Sequence, residues 1–426
     1  MRKHCAAAIA TLIATLAMSQ SAQSKDTFAP RAIGAEFFGM HVHWNDTSRR
    51  VALPSIGSLR LWDTRTNWSN LEPKRGQWDF SKLDKHIALA TTNNLEIVMT
   101  LGSTPRWASL RPDQEGPYGP GTGAPPKDLR DWDNYVRTLA KRYRGKIAFY
   151  EVLNEPTFLE DEKTCETRRH FWCGSAAEMV DLVRHTREVV KGVDPDARIV
   201  SPGFTGATSG REDHFFDAGG GAYVDVIAHH FYAVKPEQMM ERIALVKKSM
   251  IEHGYGHLEL WNTESGYVHA DVYSQTGGSV TYTSYLNDEM MAAYVAQSLI
   301  LSAAAGVRRF FWYAWDNPST GMAVADGSSP LPGGLAYNRV AKWLLGGTVS
   351  KCQKQGRSLF TCTLEKGGRV ARLVWSARPA ERIAISGDWG IVARETLDGR
   401  VVPLSESGEV EVGPQPILLV PSGFGD

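Results

Sequence analysis

Between residue 35 and about residue 345, short apolar runs alternate with longer stretches whose apolar residues recur every three or four positions. That is the pattern of β-strands followed by amphipathic helices. The runs predict strands at Ala35–His41, Leu59–Trp62, Glu96–Leu101, Ile147–Leu153, Arg198–Ser201, Val224–His229, Leu258–Asn262 and Arg309–Tyr313. Helices are predicted at Ser81–Asn93, Leu129–Tyr143, Ala176–Val190, Pro236–His253 and Asn287–Ala305. Their starts carry capping residues, Asp79 with Ser81 and Asp131 before Trp132, and Gly254, Gly306 and Asn93-Asn94 mark ends. Eight strands with helical crossovers close most simply into an α/β fold, a (β/α)8 TIM barrel over residues 30–345; an open doubly wound sheet is the rival.

After Gly346-Gly347 the texture changes to short alternating runs, Arg369–Trp375 and Pro416–Val420 among them, divided by turn signals such as Lys366-Gly367-Gly368 and Asp398-Gly399. Residues 346–426 therefore read as a small all-β, sandwich-like accessory domain. Within the barrel, the Pro- and Gly-rich loop Arg111–Lys127 is long enough to be functional and follows the third predicted strand, on the side where barrel active sites form.

Composition narrows the partners. Lys+Arg and Asp+Glu both total 47, so no net field favours nucleic acid or an anionic lipid surface. Residues 1–22 have the layout of a secretory signal peptide: Arg2-Lys3, an apolar run from Cys5 to Met18, then small polar residues. Its removal would take the net charge from 0 to −2 and put the chain outside the cell or in the periplasm; an uncleaved anchor helix is the alternative, and no other stretch could span a membrane. A monomer is the expected state. Losing Cys5 leaves two close pairs, Cys165 with Cys173 and Cys352 with Cys362, which predict two local disulfides in an oxidising compartment. Neither pair has the spacing of a zinc knuckle, and free buried thiols are the remaining reading.

Two carboxylates carry the chemistry. The fourth strand ends Asn154-Glu155-Pro156 and the seventh leads to Asn262-Thr263-Glu264-Ser265-Gly266, so a barrel delivers both acids to one rim. Glycoside hydrolysis needs such a pair, one protonated to release the leaving oxygen and one ionised to attack or to activate water. Taken singly, each can also be read as an exposed acid at a strand-end turn. A retaining mechanism predicts a carboxyl separation of about 5–5.5 Å, an inverting one about 6.5–9.5 Å.

Asn154-Glu155-Pro156 with Glu264 resembles the two-glutamate signature of the clan A glycoside hydrolases. Arg60-Leu61-Trp62-Asp63, Trp68, Leu71-Glu72-Pro73, Gly76-Gln77-Trp78-Asp79-Phe80 and Thr104-Pro105-Arg106-Trp107-Ala108 resemble the front half of bacterial exopolysaccharide endoglycosidases of family 39. The resemblance covers residues 35–345. It implies that Glu155 is the acid/base, Glu264 the nucleophile and Asn154 a donor to the sugar 2-hydroxyl; that His230 and Tyr232 stand beside the nucleophile; and that Trp315 is a sugar-stacking platform. Leu153 stands where many members have Trp.

The residues also have plain readings. Asn154 can be a strand-end turn residue and Tyr232 a barrel-lining aromatic. Arg60 and Glu151 must pair if buried, and Arg60 can instead touch sugar. His41 and His43 can bind a hydroxyl; a metal site built from His41, His43, His229 and His230 lacks a defined third ligand, so no metal or cofactor is expected. Trp44, Trp62, Trp107, Trp172 and Trp315 at one rim predict a cleft for several sugars, although any one of them is as apt in a core. The expected activity is endo-acting retaining hydrolysis of a β-linked exopolysaccharide. An exo-acting β-xylosidase-like enzyme and a non-catalytic carbohydrate-binding protein are the alternatives.

Overall fold

In the computed structural model the described residues are 27–46, 51–158, 169–206, 210–269 and 285–424. Eight parallel strands close into a barrel in sequential order: β1 (Phe38–Met40), β2 (Ser58–Leu61), β3 (Glu96–Leu101), β4 (Phe149–Val152), β5 (Arg198–Thr205), β6 (Val226–His230), β7 (Glu259–Ser265) and β8 (Phe310–Trp312). The outer layer holds α1 (Ser81–Thr92), α2 (Leu129–Arg142), α3 (Ala176–Val193), α4 (Gly210–Asp217), α5 (Pro236–Glu252), α6 (Asp288–Ala304) and α7 (Pro332–Leu344). The predicted strands thus all lie in the barrel, but β1 is shorter, because Ala35–Phe37 form a 3-10 turn, and β5 and β7 run on to Thr205 and Ser265. The cap of α2 is a correction: Asp128, not Asp131, accepts the Arg130 N–H, while Asp131 pairs with Arg75. The expected signal peptide lies outside the described residues, in which no helix is long and apolar enough to cross a membrane.

Alternation along the strands sorts side chains into an outer shell under the helices and an inner column. Ile97 and Met99 of β3 and Tyr150 and Val152 of β4 pack outward, whereas Val98, Phe149, Val200, Val226, Ala228, Trp261 and Phe311 form a separate buried cluster inside the barrel. This plug seals the lower barrel and leaves its upper end for polar groups. Gly39 makes room for it, since a Cβ there would stand 2.4 Å from the Phe311 ring.

The tail forms a six-stranded antiparallel sheet in the order β9 (Thr348–Gln355), β10 (Leu359–Lys366), β11 (Arg369–Ser376), β16 (Ile417–Pro421), β13 (Ile391–Glu395), β14 (Val401–Pro403), with β12 (Glu381–Ala384) paired to β15 (Glu409–Val412). Cys352 and Cys362 form a disulfide between β9 and β10. One apolar cluster runs from the barrel helices into this sheet, joining Val340 and Leu344 to Val349, Leu364 and Trp375. The sheet is part of the molecule's core.

Candidate active site

Two β-bulges set the inward residues at the top of the barrel. Between Val200 and Gly203, β5 spends three residues against two of β6, and between Asn262 and Ser265, β7 spends three against two of β8. An extra residue reverses the side-chain alternation above it. Gly203 therefore faces the interior on the same side as Val200, and Glu264 turns inward although Trp261, an odd number of residues below, also does.

Arg60 lies at the centre and is fully buried. Its Nε donates to Glu151 Oε2 at 2.5 Å, Nη1 to Glu264 Oε2 at 3.0 Å and Nη2 to Asn154 Oδ1 at 2.8 Å. Thr100 Oγ1 donates to the same Glu151 oxygen at 2.7 Å. Buried charge is tolerated when paired and hydrogen-bonded in this way. Glu264 receives a second donor, the Tyr232 hydroxyl at 2.9 Å on Oε1. Burial holds Tyr232 well above the ordinary phenol range, so it remains a donor. Because Arg60 occupies Asn154 Oδ1, the amide NH2 is left as the donor toward the cleft.

Glu155 sits at the end of β4 with φ +44° and is anchored by its backbone N–H to Gly203 O at 2.8 Å. His230 Nδ1 contacts its Oε1 at 2.8 Å. Burial lowers His230 to about 3, so the ring is neutral; its Nδ1–H tautomer donates to Oε1 whether Glu155 is protonated or not, and leaves Oε2 to carry a proton. One ligand atom each of Glu155, His230 and Glu264 lie within 4.8 Å of one another. The two carboxyl groups therefore face each other in one site, with oxygens no more than 4.8 Å apart. Burial raises both carboxyls above their ordinary range, and for Glu264 the charge of Glu155 adds to the rise. Arg60 and Tyr232 donate to Glu264, while His230 meets Glu155.

The remaining sequence candidates are placed as follows. His43 is buried near Tyr313, with its backbone N–H on Asp316 and its Nε2 without a partner. His41 Nε2 donates to Thr263 O at 3.0 Å. His229 points the other way from His230, into a buried pair with Glu212, so the four histidines do not converge. Cys173 is disulfide-bonded, while its expected partner Cys165 lies outside the described residues.

The tryptophan expectation needs correction. Trp315 is 1% exposed, because the first turn of α7 folds over it: a Cβ at Gly334 would stand 3.0 Å from its ring. Trp172 is equally buried, against Gly174 and Pro125. Trp107 spends its indole N–H on Glu72 O, packs on Trp68 and has Arg75 4.4 Å over its ring, so it belongs to the helix-side packing. Trp62 is buried too, with Tyr118 and Phe171 meeting around it. Tyr118 comes from the Arg111–Lys127 loop and Phe171 from the segment before Cys173, and the two are clipped together where the Cys173 N–H donates to Gly123 O at 2.6 Å.

Sequence reasoning missed Asp63, Tyr313 and Gly203. Asp63 stood within the quoted Arg60–Asp63 stretch without a role, and no local signal marks Gly203, whose importance is a matter of its neighbours across the barrel.

The family model described as Glycosyl hydrolase family 10 matches residues 45–206. Endo-1,4-beta-xylanase A of Fusarium oxysporum f. sp. lycopersici is 25% identical over 131 residues, 30% of this chain; the match spans only 38% of that relative's length. Among solved structures, a family 39 glycoside hydrolase from Bacteroides cellulosilyticus WH2 superposes with a TM-score of 0.69 at 19% identity, covering 92% of this chain and 82% of that one. A GH39 β-xylosidase from Caulobacter crescentus gives 0.61 at 15%, covering 92% and 97%. A GH30 endoxylanase from Clostridium papyrosolvens C71 gives 0.59 at 12%, covering 91% and 96%. The structural likenesses establish the shared fold. The sequence match over residues 45–206 is to family 10, and the similar folds include family 39 and GH30 enzymes; what the structures share with this chain is the TIM barrel.

Proposed function

We propose that this glycoside hydrolase cleaves β-glycosidic bonds within a bacterial exopolysaccharide, with retention of configuration, after export through the segment 1–22. The observation that carries the mechanism is the facing pair: Glu264 hydrogen-bonded by Arg60 and Tyr232, and Glu155 within 4.8 Å of it, both raised by burial, with a neutral imidazole against Glu155.

In the first step the Glu264 carboxylate attacks the anomeric carbon, forming an ester C–O bond. The glycosidic C–O bond breaks with its electron pair on the leaving oxygen, which takes the Glu155 proton. In the second, Glu155, now a carboxylate, removes a proton from water; the water oxygen bonds to the anomeric carbon and Glu264 departs. Asn154 Nδ2 donates to the sugar hydroxyl beside the reacting carbon, a contact that strengthens as charge develops there.

Glu264→Ala is expected to abolish hydrolysis with folding intact, and azide to restore cleavage with a product of inverted configuration. Near wild-type turnover by that variant would refute the assignment. A xylan-type substrate is the second reading, favoured by the partial match to an endo-1,4-beta-xylanase. Incubation with purified exopolysaccharides and xylans decides between them: products of several lengths mean internal cleavage, monosaccharide alone means exo action.

A further inference from the structure

Asp63 follows β2 at the barrel rim with φ +60°, a conformation uncommon outside glycine. Its carboxylate takes the Tyr313 hydroxyl on Oδ2 at 2.7 Å and the Tyr118 hydroxyl on Oδ1. Among the described residues it forms no ion pair. Two phenols hold the group in place without neutralising it. The nearby imidazoles do not neutralise it either: burial lowers both His41 and His43, whose rings pack 5.1 Å from that of Tyr313.

Burial also raises both tyrosines far above the ordinary phenol range, with the charge of Asp63 as a further cause, so they stay donors. Each carboxylate oxygen accepts one phenol proton and keeps a lone pair for another donor. His43 Nε2, buried and unpartnered, adds a polar atom on the same side. Tyr313, which holds Asp63, donates its backbone N–H to Ser265 O at 2.8 Å, next to Glu264, and this puts Asp63 on the nucleophile's side of the cleft.

We infer that Asp63, clamped by Tyr118 and Tyr313 beside His43, is a specificity-determining residue that accepts hydrogen bonds from hydroxyl groups of the sugar seated over Glu264 and rejects a sugar bearing a carboxylate there. This rests on the glycoside hydrolase reading. A neutral or amino sugar gains charge-assisted hydrogen bonds; a uronate brings a second anion to a group with no cation to share.

The test is the rate of covalent labelling by 2-deoxy-2-fluoro glycosyl fluorides, followed by intact mass, because the label reads the sugar position over the nucleophile alone. Neutral probes (glucosyl, galactosyl and xylosyl) are compared with the glucuronyl probe on wild type, Asp63→Asn and Tyr118→Phe, with thermal melts to check folding. Wild type is expected to take a neutral label and not the uronyl one. Asp63→Asn should slow neutral labelling by about 10- to 100-fold, the loss of one or two hydrogen bonds to a charged group. It should narrow the neutral-to-uronyl ratio and shift the acidic limb of labelling to lower pH, because a negative charge near Glu264 is gone. Tyr118→Phe should weaken neutral labelling less and keep the wild-type preference. A folded Asp63→Asn with the wild-type ratio and pH limb overturns the inference and leaves Asp63 as a prop for its two tyrosines. A wild type that takes no label of either kind overturns the hydrolase reading itself.

Discussion

Arg60 is the residue on which the site's buried charge converges, and its loss has consequences at two levels. Arg60→Met would leave Glu151 with Thr100 as its remaining side-chain partner and Glu264 without its cationic partner. Breaking a buried pair from one side costs about 3–5 kcal/mol, to be read by chemical denaturation, and hydrolysis should fall with it. At the same scale the pH profile of hydrolysis should be bell-shaped, its lower limb from ionising Glu264 and its upper from deprotonating Glu155, both above the ordinary carboxyl range because burial raises them. Stability follows the same sign. A carboxyl raised in the folded state contributes fully below its ordinary value and loses that contribution as pH rises through the raised one. Glu155→Gln should therefore melt higher than wild type at pH 8, with the gain vanishing near pH 4, about the ordinary carboxyl value. An equal gain at both pH values would show that burial of Glu155 is not the cause.

At the level of elements, the bulges in β5 and β7 decide which residues see the interior. Gly203 is the more exacting of the two sites: a Cβ there would stand 2.6 Å from His230 Nε2 and 3.0 Å from Glu151 Oε1. Both neighbours are fixed, His230 by Glu155 and Glu151 by Arg60 and Thr100. Gly203→Ala is expected to destabilise the protein by about 1–3 kcal/mol, as overpacking does. Displacing His230 should cost it activity as well. Kinetics beside a melting curve would reveal it, and a wild-type kcat/KM would mean that His230 has room to move. This pattern also limits what could be read from the chain. Periodicity of two finds the strands, but a bulge adds one residue without a local mark, so the seventh predicted strand stopped at Asn262, two residues before the nucleophile.

For the whole molecule, the apolar cluster that passes from the barrel helices into the terminal sheet makes the two interdependent. A chain ended at residue 345 would expose the faces that Val349, Leu364 and Trp375 cover; it is expected to aggregate or to melt well below the full chain, which light scattering and calorimetry would register. The Cys352–Cys362 disulfide acts within one hairpin and closes a short loop of sequence separation 10. Cys352→Ser with Cys362→Ser should cost about 2–3 kcal/mol and leave kcat unchanged at 25 °C, since neither cysteine touches the cleft.

By itself the sequence determined the alternation of strands and helices, because their periods are local, and made a barrel the simplest closure with an open sheet as the rival. It also offered the two glutamates, because strand ends in such a barrel share a rim. Burial and orientation were decided only in three dimensions. Trp315 and Trp172 lie at predicted strand ends as candidates for sugar, yet α7 covers the one and the segment at Gly174 the other; Asp63 meets its partners only where Tyr118 and Tyr313, 55 and 250 residues away, close on it. A side chain's solvent, partners and charge state are set by atoms distant along the chain, and no local pattern encodes them.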